Sequence, residues 1–140
     1  VTPVEVYIPL VERVQEIVQA TGKKIIGWDE IAHAQLLPGT VVQYWENADN
    51  AVRAIEQGAR VIMAPARKAY IDMQYDSTSR IGLHWAAYIE VDDAYNWDPA
   101  TLENEIDREN IMQRLAGLLL RCGIGKTIHI VWRRSRNGLI

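Results

Sequence analysis

The chain has 140 residues, of which 49% are hydrophobic and 24% charged, and this composition is typical of a globular domain large enough to bury a core. The formal net charge of -3 gives no electrostatic basis for binding nucleic acid or an anionic membrane, and no apolar stretch reaches the roughly 20 residues of a membrane-spanning helix. The single Cys122 excludes an internal disulfide, and the scattered histidines lack metal-ligand spacing, so we expect neither a metal nor a cofactor.

The first predicted element is an amphipathic helix from Ile8 to Ala20, which Gly22 ends as a C′ residue. The apolar residues recur at the i, i+3, i+4, i+7 spacing of one helix face, and they are Leu10, Val11, Val14, Ile17 and Val18. The polar residues of the other side are Glu12, Arg13, Gln15 and Glu16. This pattern is typical of a helix that packs one side against a core.

Three short segments, apolar and largely β-branched, are predicted strands, and they are Ile25 to Trp28, Thr40 to Tyr44 and Ala59 to Ala64. Between the second and third strands, Asn47, Asp49 or Asn50 can cap a helix that Gly58 ends. Helices and strands therefore alternate with short connections, which favours right-handed βα units and a parallel sheet. The sequence predicts an α/β fold.

Aromatic and acidic side chains follow the predicted strands. Trp28 and Trp45 stand at the ends of the first two strands, and Tyr70, Asp72 and Trp85 lie in a long aromatic segment from 66 to 101. Indoles at strand ends, with a phenol and a carboxylate nearby, are typical of a pocket for a flat, hydroxyl-bearing ligand such as a pyranose ring. Taken alone, Trp28 and Trp45 fit core residues better, and Tyr70 and Asp72 fit surface groups equally well.

Four segments, in order, resemble family 20 glycoside hydrolases, the β-N-acetylhexosaminidases, and they are residues 22–31 (GKKIIGWDEI), 41–45 (VVQYW), 69–76 (AYIDMQYD) and 82–88 (GLHWAAY). The resemblance extends from about Tyr7 to Asn110. It implies part of a (β/α)8 TIM barrel, about three βα units corresponding to strands five to seven. We therefore expect a partial glycoside hydrolase barrel in residues 1–110 and a divergent tail of uncertain structure in residues 111–140, as in a truncated or frame-altered gene product.

The resemblance also implies hydrolysis of terminal N-acetyl-β-hexosaminides (GlcNAc or GalNAc) in amino-sugar glycans, by a retaining mechanism in which the substrate assists. The acetamide oxygen of the sugar attacks its own anomeric carbon. By resemblance, Tyr70 donates a hydrogen bond to that oxygen, and Asp72 accepts one from a sugar hydroxyl. Trp28, Trp45 and Trp85 surround the acetamide and the ring.

One departure from the family concerns the general acid, which comes with its helper aspartate from a His-x-Gly-Gly-Asp-Glu string that this chain lacks. Asp29 and Glu30 resemble such a pair. Adjacent side chains at a strand end point apart, however, so an N-cap and loop hydrogen bonds are the preferred interpretation of both. The alternative function is therefore a catalytically inactive carbohydrate-binding or structural remnant.

The predicted partners follow from the missing strands one to four. An open three-stranded sheet exposes two edges and an apolar face, so we expect either self-association or binding to a missing barrel half. The first residues, Val1 to Glu5, do not follow a signal-peptide pattern, and no compartment is predicted.

Overall fold

The computed structural model describes residues 3–99, 111–114, 120–121 and 127–128, with side chains described for 5–99. These residues belong to two compact units. The first combines Val1–Pro65 with Trp97–Arg114, and the second combines Ala66–Asn96 with Leu115–Ile140.

The first unit is built from helices and strands that alternate along the chain. Its helical elements are α1 (Pro3–Ala20), a 3₁₀ helix (Asp29–His33) and α2 (Ala48–Glu56). Its strands are β1 (Ile26–Trp28), β2 (Val41–Tyr44), β3 (Arg60–Met63) and β4 (Ile111–Arg114). The strands form one sheet in the order β1-β2-β3-β4, and each pairing is parallel. The predicted α/β class is confirmed.

The first three strands lie within the predicted segments, whereas β4 lies in the segment that the sequence assigned to a divergent tail. The parallel sheet therefore has a fourth strand that the prediction missed. Ile111 and Met112 are the only apolar residues of β4. Two such residues give no periodic signal, because a run this short fits a strand, a helix or a loop.

Local capping explains the position of α2. Its N-cap is Asn47, one of the predicted candidates, whose side chain accepts a hydrogen bond from Asp49 N at 2.9 Å. The helix ends just before Gly58, whose φ of 82° lies in the left-handed region that glycine adopts without strain. The predicted start and stop of this helix are confirmed.

A small apolar core lies between β2, α2 and the 3₁₀ helix, and its buried members are Ala32, Leu36, Val42, Ala54 and Ala59. Ile31 packs against this core, and Gly27 on β1 makes room for it, because a Cβ atom at Gly27 would lie 2.6 Å from Ile31 Cδ1. The side chain of Gln57 accepts a hydrogen bond from Leu36 N at 2.9 Å and donates to Ala32 O at 3.1 Å. The backbone after β1 is thereby held on the core.

Helix α1 departs from its prediction in two ways. It begins at Pro3 rather than Ile8 and runs through Pro9. Its side that faces the rest of the unit is mixed: Gln15 is 2% exposed and Val11 and Val18 are partly buried, whereas Leu10 of the predicted apolar face is 58% exposed. The Gln15 side chain donates to Gln35 O at 2.9 Å and accepts from the N–H of Leu37 at 3.1 Å. Those backbone groups lie outside regular structure and need partners, which explains why a glutamine is buried there.

The second unit contains the aromatic segment after β3. Its elements are α3 (Ala66–Ala69), α4 (Val91–Tyr95) and an antiparallel pair, β5 (Leu120–Arg121) and β6 (Thr127–Ile128). Met73 and Leu83 form an isolated bridge within this segment. None of the helices in the described residues is long and apolar enough to cross a membrane.

Replacing Leu36 with alanine should lower the free energy of unfolding by about 2–5 kcal/mol, because the side chain is buried in the core of the first unit. Urea titration followed by circular dichroism measures this loss. Leu10→Ala is the matched control, since Leu10 is exposed, and its cost should stay below about 0.5 kcal/mol. Equal losses for the two variants would contradict the assigned core.

Candidate active site

Two of the predicted tryptophans meet at one edge of the sheet. Trp28 ends β1, and Trp45 follows β2 directly. Because β1 and β2 are parallel neighbours, their carboxyl ends lie at the same edge. The two indoles make an edge-to-face contact, with ring centroids 6.3 Å apart and planes at 79°. Trp28 remains 43% exposed, so part of its face is open to a ligand.

Asp29 fixes the turn that carries Trp45. Its side chain is 1% exposed, and its Oδ2 accepts hydrogen bonds from the backbone N–H groups of Trp45, Glu46 and Asn47, each at 3.1 Å. Its Oδ1 accepts from Asn50 Nδ2 at 3.1 Å. Both oxygens of this carboxylate are therefore engaged in loop hydrogen bonds, as the preferred interpretation of the sequence expected. Asp29 is not itself an N-cap.

Glu30 holds the indole of Trp45. Glu30 Oε1 accepts a hydrogen bond from Trp45 Nε1 at 3.0 Å. Tyr7 is influenced by these two carboxylates. Partial burial raises the pKa of Tyr7, and the negative charges of Glu30 and Asp29 raise it further. The two adjacent carboxylates thus act on different groups, one on the backbone of the turn and one on an aromatic ring.

In the second unit, Tyr70 and Trp85 form a second aromatic pair. Tyr70 follows α3, and its N–H donates to Ala66 O at 3.4 Å. The rings of Tyr70 and Trp85 meet edge to face, with centroids 5.8 Å apart and planes at 72°. Trp85 is 57% exposed. Residues 15 positions apart in the sequence are therefore brought into contact.

Backbone hydrogen bonds that join Asp72 and Gln74 to Leu83 bring Tyr70 and Trp85 together. The N–H of Leu83 donates to Asp72 O at 2.9 Å, and the N–H of Gln74 donates to Leu83 O. Gly82 permits the approach because its φ is 110° and a Cβ atom there would lie 2.9 Å from Gln74 N. The Asp72 side chain has an oxygen, Oδ1, that is shielded from solvent and accepts no hydrogen bond from the described residues. An acceptor in that state suits a hydroxyl donor from a ligand.

The same unit is tied together by an ion pair between its short helices. Lys68 Nζ of α3 lies 3.0 Å from Asp93 Oδ1 of α4. The Lys68 hydrogen bond lowers the pKa of Asp93 most, the backbone N–H of Glu90 lowers it next, and the charge of Lys68 adds to both. Asp93 and Glu90 also form a capping box at the start of α4.

The predicted site residues thus fall into two groups. The indole cluster of the first unit consists of Trp28, Asp29, Glu30 and Trp45. The Tyr70 cluster of the second unit consists of Tyr70, Asp72 and Trp85. Sequence reasoning missed Asn50 as a partner of Asp29, because the two lie 21 residues apart and no local pattern links them. In the part of the chain that the structure describes, no group of three acidic, histidine or cysteine side chains could hold a metal ion.

The sequence matches the family model described as glycosyl hydrolase family 20, catalytic domain, over residues 2–119. The predicted resemblance is confirmed, and the match continues past Asn110, where the resemblance was expected to end. A β-N-acetylhexosaminidase from Cellulomonas fimi is 48% identical over 109 residues, which are 76% of this chain and 22% of that protein. A β-hexosaminidase from Vibrio furnissii is 25% identical over 111 residues, which are 78% of this chain and 18% of that protein.

Solved structures show the same likeness. The GH20 β-N-acetylhexosaminidase from Streptomyces coelicolor has a TM-score of 0.76 and 34% identity, over 83% of this chain and 25% of that chain. The GH20 exo-β-N-acetylglucosaminidase from Vibrio harveyi in complex with N-acetylglucosamine has a TM-score of 0.68 and 25% identity, over 88% of this chain and 20% of that chain. This chain therefore spans about a fifth to a quarter of the length of these relatives.

Replacing Asp29 with asparagine should destabilise the first unit by about 3 kcal/mol, because an amide group in place of Oδ2 would face three backbone N–H donors that need an acceptor. Chemical denaturation monitored by tryptophan fluorescence measures the loss. Asp49→Asn is the matched control, since Asp49 is an exposed residue in the first turn of α2, and its cost should stay below about 1 kcal/mol. An Asp29→Asn protein as stable as this control would show that the turn is held by other contacts.

Proposed function

This chain belongs to glycosyl hydrolase family 20, and we propose that it is the part of a β-N-acetylhexosaminidase that binds the amino sugar. The reaction would be the removal of terminal N-acetyl-β-hexosaminides from glycans. Relatives of the chain carry names for this activity, and the Vibrio harveyi relative was solved in complex with N-acetylglucosamine. Two groups of residues with suitable chemistry support the proposal.

The observation that carries the proposal is the shielded Oδ1 atom of Asp72. An acceptor that is removed from water and left without a donor destabilises a protein, and a hydrogen bond from a ligand would relieve that cost. Asp72 would accept a hydrogen bond from a sugar hydroxyl. A site with such an acceptor discriminates strongly against ligands that lack the hydroxyl, because the acceptor then stays unpaired.

Tyr70 would donate its phenolic hydrogen to the acetamide oxygen of the sugar. Its ring is braced edge to face by Trp85, which restricts the directions in which the hydroxyl can point. A donor that is already oriented stabilises the charge that develops on the acetamide as its oxygen attacks. Trp85 would contribute an apolar surface for the same sugar.

Trp28 and Trp45 of the first unit would provide apolar walls for an amino-sugar ring and its acetamide group. Their rings are held in different ways, Trp45 by its bond to Glu30 and Trp28 by its contact with Trp45. Glu30 would therefore act as a positioning residue for Trp45, and Asp29 as a positioning residue for the turn on which Trp45 stands. Neither carboxylate would be the general acid.

The proposed reaction proceeds by assistance from the substrate. The acetamide carbonyl oxygen forms a bond to the anomeric carbon while the bond from that carbon to the leaving oxygen breaks, and a general acid gives the leaving oxygen a proton. Water then attacks the anomeric carbon and gives a proton to the conjugate base of the same acid, while the bond from that carbon to the acetamide oxygen breaks and the acetamide is restored. The general acid would come from polypeptide outside this chain, which lacks the His-x-Gly-Gly-Asp-Glu string.

The fold of the first unit supports the placement of its two tryptophans. We assign β1, β2 and β3 to strands five to seven of a (β/α)8 barrel. The parallel strands follow one another in chain order, and Trp28 and Trp45 stand at or just after strand carboxyl ends. Barrel enzymes place their binding residues at that end of the strands.

A second candidate is a catalytically inactive carbohydrate-binding or structural remnant. The hydrogen bonds of Asp29 favour it for the isolated chain, because both oxygens of that carboxylate are already engaged and the family's acid string is missing from the sequence. The two candidates differ in turnover rather than in the ligand that they recognise.

We expect the chain to bind N-acetylglucosamine through Asp72, and Asp72→Ala should weaken that binding at least about tenfold, since a hydrogen bond to a charged acceptor contributes about 1.5–3 kcal/mol. Titration of the sugar, followed by changes in the protein NMR spectrum, gives the dissociation constant. Asp92→Ala is the matched control because Asp92 is exposed on α4, and it should bind as the parent chain does. Equal affinities for Asp72→Ala and the parent chain would exclude Asp72 from the site.

The isolated chain should release no p-nitrophenol from its N-acetyl-β-glucosaminide, because the general acid lies elsewhere. When the part of this chain that matches over 109 residues replaces the corresponding part of the Cellulomonas fimi enzyme, turnover should appear. In that chimaera Tyr70→Phe should lower kcat by about 10²-fold, the usual loss for one donor to a developing oxyanion.

Two control variants sharpen this assay. Tyr75→Phe should leave kcat unchanged, since Tyr75 is 55% exposed and has no proposed role. Glu30→Gln should lower kcat by less than about tenfold, whereas loss of a general acid would cost about 10²–10⁴-fold. A folded chimaera without turnover would support the remnant, and a Glu30→Gln loss in the larger range would make Glu30 the acid.

A further inference from the structure

Tyr70 stands at the end of a helix that is too short to hold its own position. Helix α3 is four residues long, which is about one turn, and a helix of this length is not stable without contacts to other elements. The N–H of Tyr70 reaches Ala66 O only at 3.4 Å, which is long for a backbone hydrogen bond. The position of the phenol therefore depends on what holds α3 from outside.

Asp93 of α4 provides such a contact. Its Oδ1 accepts a hydrogen bond from Lys68 Nζ of α3 at 3.0 Å, and its Oδ2 accepts one from the N–H of Glu90 at 3.3 Å. The first bond reaches α3, and the second belongs to the capping box that starts α4. One carboxylate thereby joins the helix that precedes Tyr70 to the first turn of α4.

A backbone bond holds the same two segments together on the other side of Tyr70. The N–H of Ile89 donates to Gln74 O at 2.9 Å, and Ile89 is 2% exposed. The stretch that contains Tyr70 is therefore attached at both ends to α4 and the residues just before it. Side chains make the contact at the Asp93 end, so a substitution can release that end without removing a backbone group.

We propose that Asp93 and Lys68 are positioning residues for Tyr70, and that their ion pair fixes the point from which the phenol reaches the acetamide oxygen. This role rests on the function proposed above for Tyr70. The pair is partly exposed, with 24% of the Lys68 side chain and 46% of the Asp93 side chain open to solvent. An ion pair of this kind contributes little to overall stability, so a variant that breaks it should fold.

The effect of the pair should appear in the step in which the acetamide oxygen attacks, because a small displacement of an oriented donor lowers the rate strongly. The test replaces Lys68 with methionine, which keeps an apolar stem and removes the charge, in the chimaera with the Cellulomonas fimi enzyme. The value of kcat for the p-nitrophenyl substrate should fall at least about fivefold. Asp93→Ala should cause a similar loss. Lys68→Arg keeps a charged donor and should stay within about twofold of the parent chimaera.

A double-mutant cycle separates positioning from a loss of folded protein. In the Tyr70→Phe background, Lys68→Met should lower kcat by less than about twofold, because the hydroxyl that the pair positions is already absent. Partial unfolding would instead lower kcat by the same factor in both backgrounds. Asp92→Ala is the matched control for Asp93→Ala, since Asp92 is exposed on α4, and it should leave kcat unchanged.

Sugar binding to the intact chain gives a second measurement that needs no turnover. N-acetylglucosamine is titrated against the chain and followed in the protein NMR spectrum. Lys68→Met should weaken binding about threefold, and it should add nothing to the weakening that Tyr70→Phe causes. Equal affinities for Lys68→Met and the parent chain would overturn the inference even with an inactive chimaera.

Two kinetic outcomes would overturn the inference and leave the proposed function intact. They are an unchanged kcat in Lys68→Met, and a loss of equal size with and without the Tyr70 hydroxyl. A Tyr70→Phe chimaera with full turnover would instead contradict the proposed role of Tyr70, and the positioning role would fall with it. A fall in kcat that is absent in Lys68→Arg and absent in the Tyr70→Phe background would establish it.

Discussion

The first unit depends on one buried carboxylate. Asp29 stands just after β1 and accepts hydrogen bonds from three consecutive N–H groups that follow β2, and from Asn50 within α2. A single side chain thereby joins the end of one strand, the turn after the next strand and the helix beyond it. Without it, three partly buried backbone donors would lose their common acceptor, which destabilises the turn. The contact between Trp28 and Trp45 follows from this arrangement.

In the second unit, backbone hydrogen bonds rather than a buried carboxylate position the candidate site residues. The bridge between Met73 and Leu83, made possible by Gly82, brings Trp85 to Tyr70 and shields an oxygen of Asp72. The proposed role in binding an amino sugar depends on that oxygen more than on the aromatic rings. Aromatic pairs also occur in ordinary cores, whereas a shielded acceptor without a donor calls for a particular explanation.

In helix α1, the side that the apolar spacing predicts to be buried differs from the side that packs against the rest of the unit. Its amphipathic spacing was predicted correctly, but the choice of which side to bury was not available from the spacing. Gln15 is buried because the backbone groups of Gln35 and Leu37 need partners. Val11 and Val18 share its inward side, whereas Leu10 and Val14 are exposed. An amphipathic helix therefore identifies two surfaces, and only its neighbours determine which of them faces inward.

The sequence alone determined the three strands β1 to β3, the cap and end of α2, and membership of family 20, because these depend on residues within a few positions or on ordered local motifs. Tertiary structure decided that Asp29 and Glu30 accept hydrogen bonds from different groups, and that Tyr70 contacts Trp85. The same holds for β4, which pairs with β3 across a long interval of sequence. These features join residues 15 or more positions apart, and hydrogen-bond partners at that separation are selected by how the chain folds back on itself.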